Sequence, residues 1–172
     1  MKPHIIIWIL LVLSPSVAMA EWQIITHTDI DTNIETNVAY TENESGYSLE
    51  IYRDAVGAVR SRFTLKTGLS RLAVRNCPTY QIDKRQPLNR SINDAPCIPE
   101  RNWSEFILGY IENNEIVSPH LNYLMNGKKI TYRFILENGG YGETFFSLAG
   151  SKYAITATMG RNTRIVQPSN TN

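Results

Sequence analysis

The chain has 172 residues, with 17 basic and 16 acidic side chains. Taking away the first twenty residues removes Lys2 and leaves no net charge, so nothing suggests the basic surface that nucleic-acid capture needs. The length suits one domain with its own core, and no linker or low-complexity run asks for a second.

The N-terminus opens on a short polar head, Lys2 and His4, followed by an unbroken apolar run over residues 5–13. Ser14 and Pro15 end that run, and Ala18-Met19-Ala20 puts small residues at both positions a signal peptidase reads. A helix of that length rises only about 14 Å, half of a hydrocarbon core. Residues 1–20 are therefore read as a secretory signal peptide cut before Glu21. The expectation is a domain over 21–166 in the periplasm or secreted, with no membrane span in the mature chain and a flexible tail at 167–172.

Most of the mature chain is patterned with a period of two. Residues 22–26 read as a first strand. Asp29-Ile30-Asp31-Thr32-Asn33-Ile34-Glu35 resembles the start of a calcium loop, but Ile34 stands where glycine is needed and Tyr40 where glutamate is needed. The same alternation suits a half-exposed strand. In the next segment Tyr47, Leu49 and Ile51 face one way while Ser48, Glu50, Tyr52 and Asp54 face the other. Val59, Ser61, Phe63 and Leu65 alternate likewise with Arg60, Arg62, Thr64 and Lys66, and the link 55–58 joins the two runs as a hairpin. That hairpin places Glu50 and Asp54 near Arg60 and Arg62. It accounts for an acidic segment 21–54 preceding a basic segment 55–101 without invoking a ligand.

Further strands are expected at 72–76, 103–111, 129–137, 143–148 and 153–159, which are rich in β-branched and aromatic residues. Between them Ser118, Pro119, Leu121, Leu124, Met125 and Gly127 have the cap, start, stripe and stop of one short helix. Cys77 and Cys97 are the only cysteines. In an oxidising compartment they would form one structural bridge, with Pro78, Pro87 and Pro96 marking the enclosed loop. The segment between them holds no histidine for a zinc site and their spacing is not that of a redox pair. These elements predict an all-β fold, an antiparallel β-sandwich of about eight strands with one short helix, with a closed barrel as the alternative.

Chemistry-bearing patterns are sparse. His27 and His120 lack patterned neighbours, and no hydrolase or zinc-protease motif is present. Glu105, Glu112 and Glu115 read as groups solvating a strand end. No catalytic residue, metal or cofactor is assigned. Tyr141 stands out because glycines flank it in the turn 138–142, which would hold its ring in solvent as an anchor for a partner.

Leu124-Met125-Asn126-Gly127-Lys128-Lys129-Ile130-Thr131-Tyr132-Arg133-Phe134, then Phe146-Ser147-Leu148-Ala149-Gly150 and Ala154, resembles the C-terminal part of the bacterial invasion-associated locus B family. The pattern is a hydrophobic-x-x-Gly-Lys strand, then Ser-Leu-x-Gly leading into a last strand. The chain departs from it in having no cysteine soon after Trp22 and no aromatic directly after Gly150. The resemblance implies an exported β-rich domain, linked in some pathogens to host-cell entry, and brings no catalytic residues. The expected function is thus non-catalytic binding of a protein or cell-envelope component. Two alternatives remain: a small envelope-acting hydrolase using Glu105 or Glu143, or an accessory of a secretion system.

Overall fold

A computed structural model describes residues 21–28, 30, 32–66, 68, 70–88, 97–160 and 162–166. The expected signal peptide and tail lie outside the described residues. In chain order the elements are β1 (Gln23–Thr28), β2 (Glu35–Glu42), β3 (Ser48–Arg53), β4 (Ala58–Thr64), β5 (Thr79–Ile82), β6 (Cys97–Pro99), β7 (Trp103–Tyr110) and β8 (Glu115–Val117). Helix α1 (Pro119–Asn126), β9 (Lys129–Ile135), β10 (Tyr141–Ser147), helix α2 (Ser151–Met159) and β11 (Arg164–Val166) complete the order. The fold is all-β with antiparallel main sheets. The larger sheet has the order β1-β2-β3-β4-β7-β6 and the smaller β10-β9-β5, while β8 and β11 form a short parallel pair.

Turn chemistry sets the hairpins. Asp54 Oδ1 accepts the N–H groups of Val56 and Ala58, and Gly57 at φ +85 completes the β3–β4 turn. Asn43 does the same for the β2–β3 turn, with Gly46 at φ +78. The two main sheets then meet face to face through aromatic rings, as a sandwich does. Phe63 of β4 stacks on Tyr132 of β9 with centroids 4.6 Å apart, and Tyr80 of β5 meets Phe106 of β7 edge-on at 5.1 Å. These ring contacts come from β4 and β7 of the larger sheet. Helix α2 packs over β1, β2 and β3, where small Ala39 and Thr41 leave it room.

A disulfide joins Cys77 to Cys97, with Cα atoms 6.2 Å apart. Cys97 opens β6, the edge of the larger sheet, and Cys77 stands just before β5, the edge of the smaller one. The bridge therefore clamps the two sheets together along one side.

Helix α1 has the expected design: the Ser118 hydroxyl accepts the Leu121 N–H at 3.1 Å, Pro119 sits in the first turn, and Leu121 and Leu124 are buried. Three expected strands differ. Residues 153–159 form most of α2, because Ser151, Ala154, Ile155, Thr158 and Met159 are buried at helical spacing. The β-branched Ile155, Thr156 and Thr158 mask that stripe. Residues 72–76 make only a bridge from Leu72 to Leu136, after which a turn closes from the Asn76 N–H to the Ala73 carbonyl. The segment expected as a half-exposed strand before Glu35 contains a turn, with Asn33 at φ +54, and the strand proper is β2. Asp29 and Asp31 of the calcium-like loop lie outside the described residues.

Candidate binding face

The outer face of the smaller sheet gathers exposed apolar side chains. Alternation along β9 and β10 sends Ile130, Tyr132, Phe134 and Phe146 inward and leaves Arg133, Ile135, Tyr141, Glu143 and Phe145 outward. Ile135 lies directly across from Tyr141, Arg133 from Glu143, and Thr131 from Phe145. Tyr141 is 66% exposed and Phe145 59%, unusual values for aromatics on a regular sheet. Between them Arg133 Nε donates to Glu143 at 2.7 Å, and Arg133 Nη1 donates to Gln81 Oε1 at 3.1 Å. The face is thus an apolar pair at one end, a neutralised ion pair in the middle and an aromatic at the other end.

Tyr141 is exposed as expected, but it does not sit at a turn apex. It is the first residue of β10, and the reversal is made by residues 137–140, where the Gly139 N–H reaches Leu136 O and the Leu136 N–H reaches Gly140 O. Gly142 is needed for another reason. A Cβ there would lie 2.2 Å from the Phe134 ring, so the missing side chain lets that ring lie against the β10 backbone.

The β10 edge is partly closed. Asn43 Nδ2 donates to Phe145 O at 2.9 Å, and Trp22 Nε1 donates to Ser147 O at 2.9 Å. These caps occupy carbonyls that an added strand would use.

Beyond Phe145 the face runs into a basic cleft of about 790 Å³ lined by Asp83, Lys84, Arg85, Lys128 and Lys129. None of these is among the residues expected from sequence to form a site; the adjacent pairs Lys84-Arg85 and Lys128-Lys129 are the signal that could have pointed to them. Asp83, at φ +53 after β5, accepts the N–H groups of both Lys128 and Lys129 at 3.0 Å. Burial pushes its carboxyl up, but those amides and Arg85 outweigh that and hold it below the usual carboxylate range.

The carboxylates considered for hydrolysis lie apart from this cleft or are engaged. Glu105 does not solvate a strand end. It is 5% exposed in mid-β7 on the outer face of the larger sheet, where it accepts from Tyr52 Oη, from Arg60 Nη1 at 2.7 Å and from Arg62 Nη2 at 2.9 Å. Arg60 also pairs with Asp54 at 2.7 Å, and Arg62 opposes Glu50 and lies over the Trp103 ring. The hairpin charges thus neutralise each other as the sequence predicts, with Glu105 as their unforeseen centre. Burial raises the Glu105 carboxyl, yet the bonds from Tyr52 and the two arginines lower it overall, which makes it a poor proton donor near neutral pH. Glu143 is exposed and bonded to Arg133. His27 is exposed on β1 beside a hollow shared with Glu50, Tyr52 and Arg62. His120 instead bonds the buried Tyr80 hydroxyl through Nδ1 at 2.8 Å. Among the described residues no three histidine, cysteine or acidic side chains gather as a metal site would require.

Compared with known proteins, the chain matches no family model, no curated protein and no solved structure. No helix among the described residues is long and apolar enough to cross a membrane.

Proposed function

We propose that this chain is an exported, non-catalytic β-sandwich that binds a protein or cell-envelope component through the outer face of β9 and β10. The observation that carries this reading is the exposure of Tyr141, Ile135 and Phe145 on one regular sheet face whose central charges already pair with each other. Exposed aromatics supply contact area at low entropic cost, which is why they anchor interfaces. The Cys77–Cys97 bridge suits an oxidising compartment, and the signal-like segment 1–20 supplies the route there. The resemblance to the invasion-associated locus B family points the same way, toward an exported β-rich domain without catalytic residues.

Tyr141→Ala tests the reading. Binding to isolated bacterial envelopes is expected to weaken by about 1–2 kcal/mol, with the unfolding free energy changed by less than about 0.5 kcal/mol. Unchanged envelope binding would overturn the assignment of this face, as would a loss confined to stability.

A further inference from the structure

We propose that the basic cleft beside Phe145 recognises the phosphate headgroups of an anionic lipid surface, with the outer face of β9 and β10 lying against that surface. This names the partner of the binding face and rests on that reading. The cleft is built from two short segments that a single carboxylate holds together. The turn after β5 carries Lys84 and Arg85, the start of β9 carries Lys128 and Lys129, and Asp83 joins them by accepting both lysine amides and the Arg85 guanidinium. All four cations are exposed. Among the described residues Asp83 is the one acid lining the hollow, and both its oxygens are engaged by these bonds. Lys84 and Lys128 have no ion pair among the described residues.

The remaining two cations are placed by aromatic rings. The Arg85 guanidinium lies 4.3 Å from the Tyr123 ring centroid, and Lys129 Nζ lies 5.4 Å from that of Phe145. Phe145 therefore belongs to both the cleft and the apolar face. A soluble anion would complement the four cations but leave Phe145, Ile135 and Tyr141 in water. An anionic bilayer complements both at once, since phosphates meet the cations and the interfacial region takes the aromatic rings. The volume of about 790 Å³ is open enough to admit a headgroup.

The test is co-sedimentation of the purified chain with vesicles of phosphatidylcholine alone and of equal parts phosphatidylcholine and phosphatidylglycerol. Binding is expected only to the anionic vesicles and to decline with salt. Lys84→Gln combined with Lys128→Gln should weaken it by about fivefold for each charge removed, with an unchanged unfolding midpoint. No sedimentation with anionic vesicles overturns the proposal, as does equal binding of the double variant. If the chain then still binds delipidated envelope protein in a Tyr141-dependent way, the binding face stands and only the lipid assignment falls.

Discussion

Buried Glu105 and half-buried His120 make the stability of this protein depend on pH in the same direction for opposite reasons. Glu105 is more acidic folded than unfolded, because the bonds from Tyr52, Arg60 and Arg62 outweigh its burial. Its contribution is present above the ordinary value of 4.5 and is lost as pH falls through the lower folded value. Burial lowers His120 below its ordinary 6.5, so the folded state keeps it neutral. Burial likewise raises the Tyr80 hydroxyl far above its usual range, so it stays protonated beside Nδ1 of His120. The unfolded chain takes up a proton on His120 where the folded one does not, and stability drops as pH falls below 6.5. Urea unfolding over pH should therefore show two losses on acidification. His120→Gln, which keeps an acceptor for Tyr80, should remove the upper one and Glu105→Gln the lower. Glu105→Gln should also cost about 1–3 kcal/mol at neutral pH, moderated because Asp54 and Glu50 still face the two arginines. A single loss unaffected by either variant would refute this account.

At the scale of elements, β10 depends on an absent side chain. Gly142→Ala would drive a methyl group into the Phe134 ring, which is 3% exposed and packed against Phe63, so it has little room to move. We expect a loss of about 1–3 kcal/mol by thermal or urea unfolding. An equally stable variant would mean that the hairpin can slide off Phe134. The sequence pattern reveals this hairpin but makes Gly142 a turn residue, because spacing alone does not show that a ring from the neighbouring strand lies over it. Period two identifies β3 and β4, where inward and outward residues differ strongly in polarity, while β-branched and aromatic content identifies β7, β9 and β10. Both miss β2, whose inward Ala39 and Thr41 are small because α2 lies on them, and the short β5, β6, β8 and β11. The same content also makes a strand of α2, where β-branched residues stand at helical spacing. Of the candidate face, the exposure of Tyr141 is legible from its flanking residues. Phe145 is not, since a strand aromatic reads as core until the sheet's inner face is known to be filled by Phe146, Tyr132 and Phe134. The cleft is invisible in the sequence because Lys84-Arg85 and Lys128-Lys129 are brought together by the pairing of β5 with β9 and by the Asp83 turn.

For the molecule as a whole, the disulfide decides how firmly the two sheets are held. Phe63, Tyr132, Tyr80 and Phe106 join the sheets through their rings, Tyr80 from β5 itself, but β5 and β6 are short sheet edges of four and three residues with no strand pairing between them. The bridge from Cys97 on β6 to Cys77 beside β5 supplies the missing tie at that edge. Its sequence separation of 20 residues corresponds to a loop-closure stabilisation of about 3 kcal/mol. Replacing both cysteines by serine should lower the unfolding free energy by about 2–4 kcal/mol. The loss should not be uniform. Amides of β5, which borders the basic cleft through Asp83, should exchange faster than those of β3 and β4, which lie deep in the larger sheet. The Tyr141 end, held by the β9–β10 ladder and by the caps from Asn43 and Trp22, should keep its protection. Hydrogen exchange on the oxidised and serine forms distinguishes these regions. Uniform loss of protection, or none, would show that the aromatic centre alone holds the sheets and that the bridge is not their clamp.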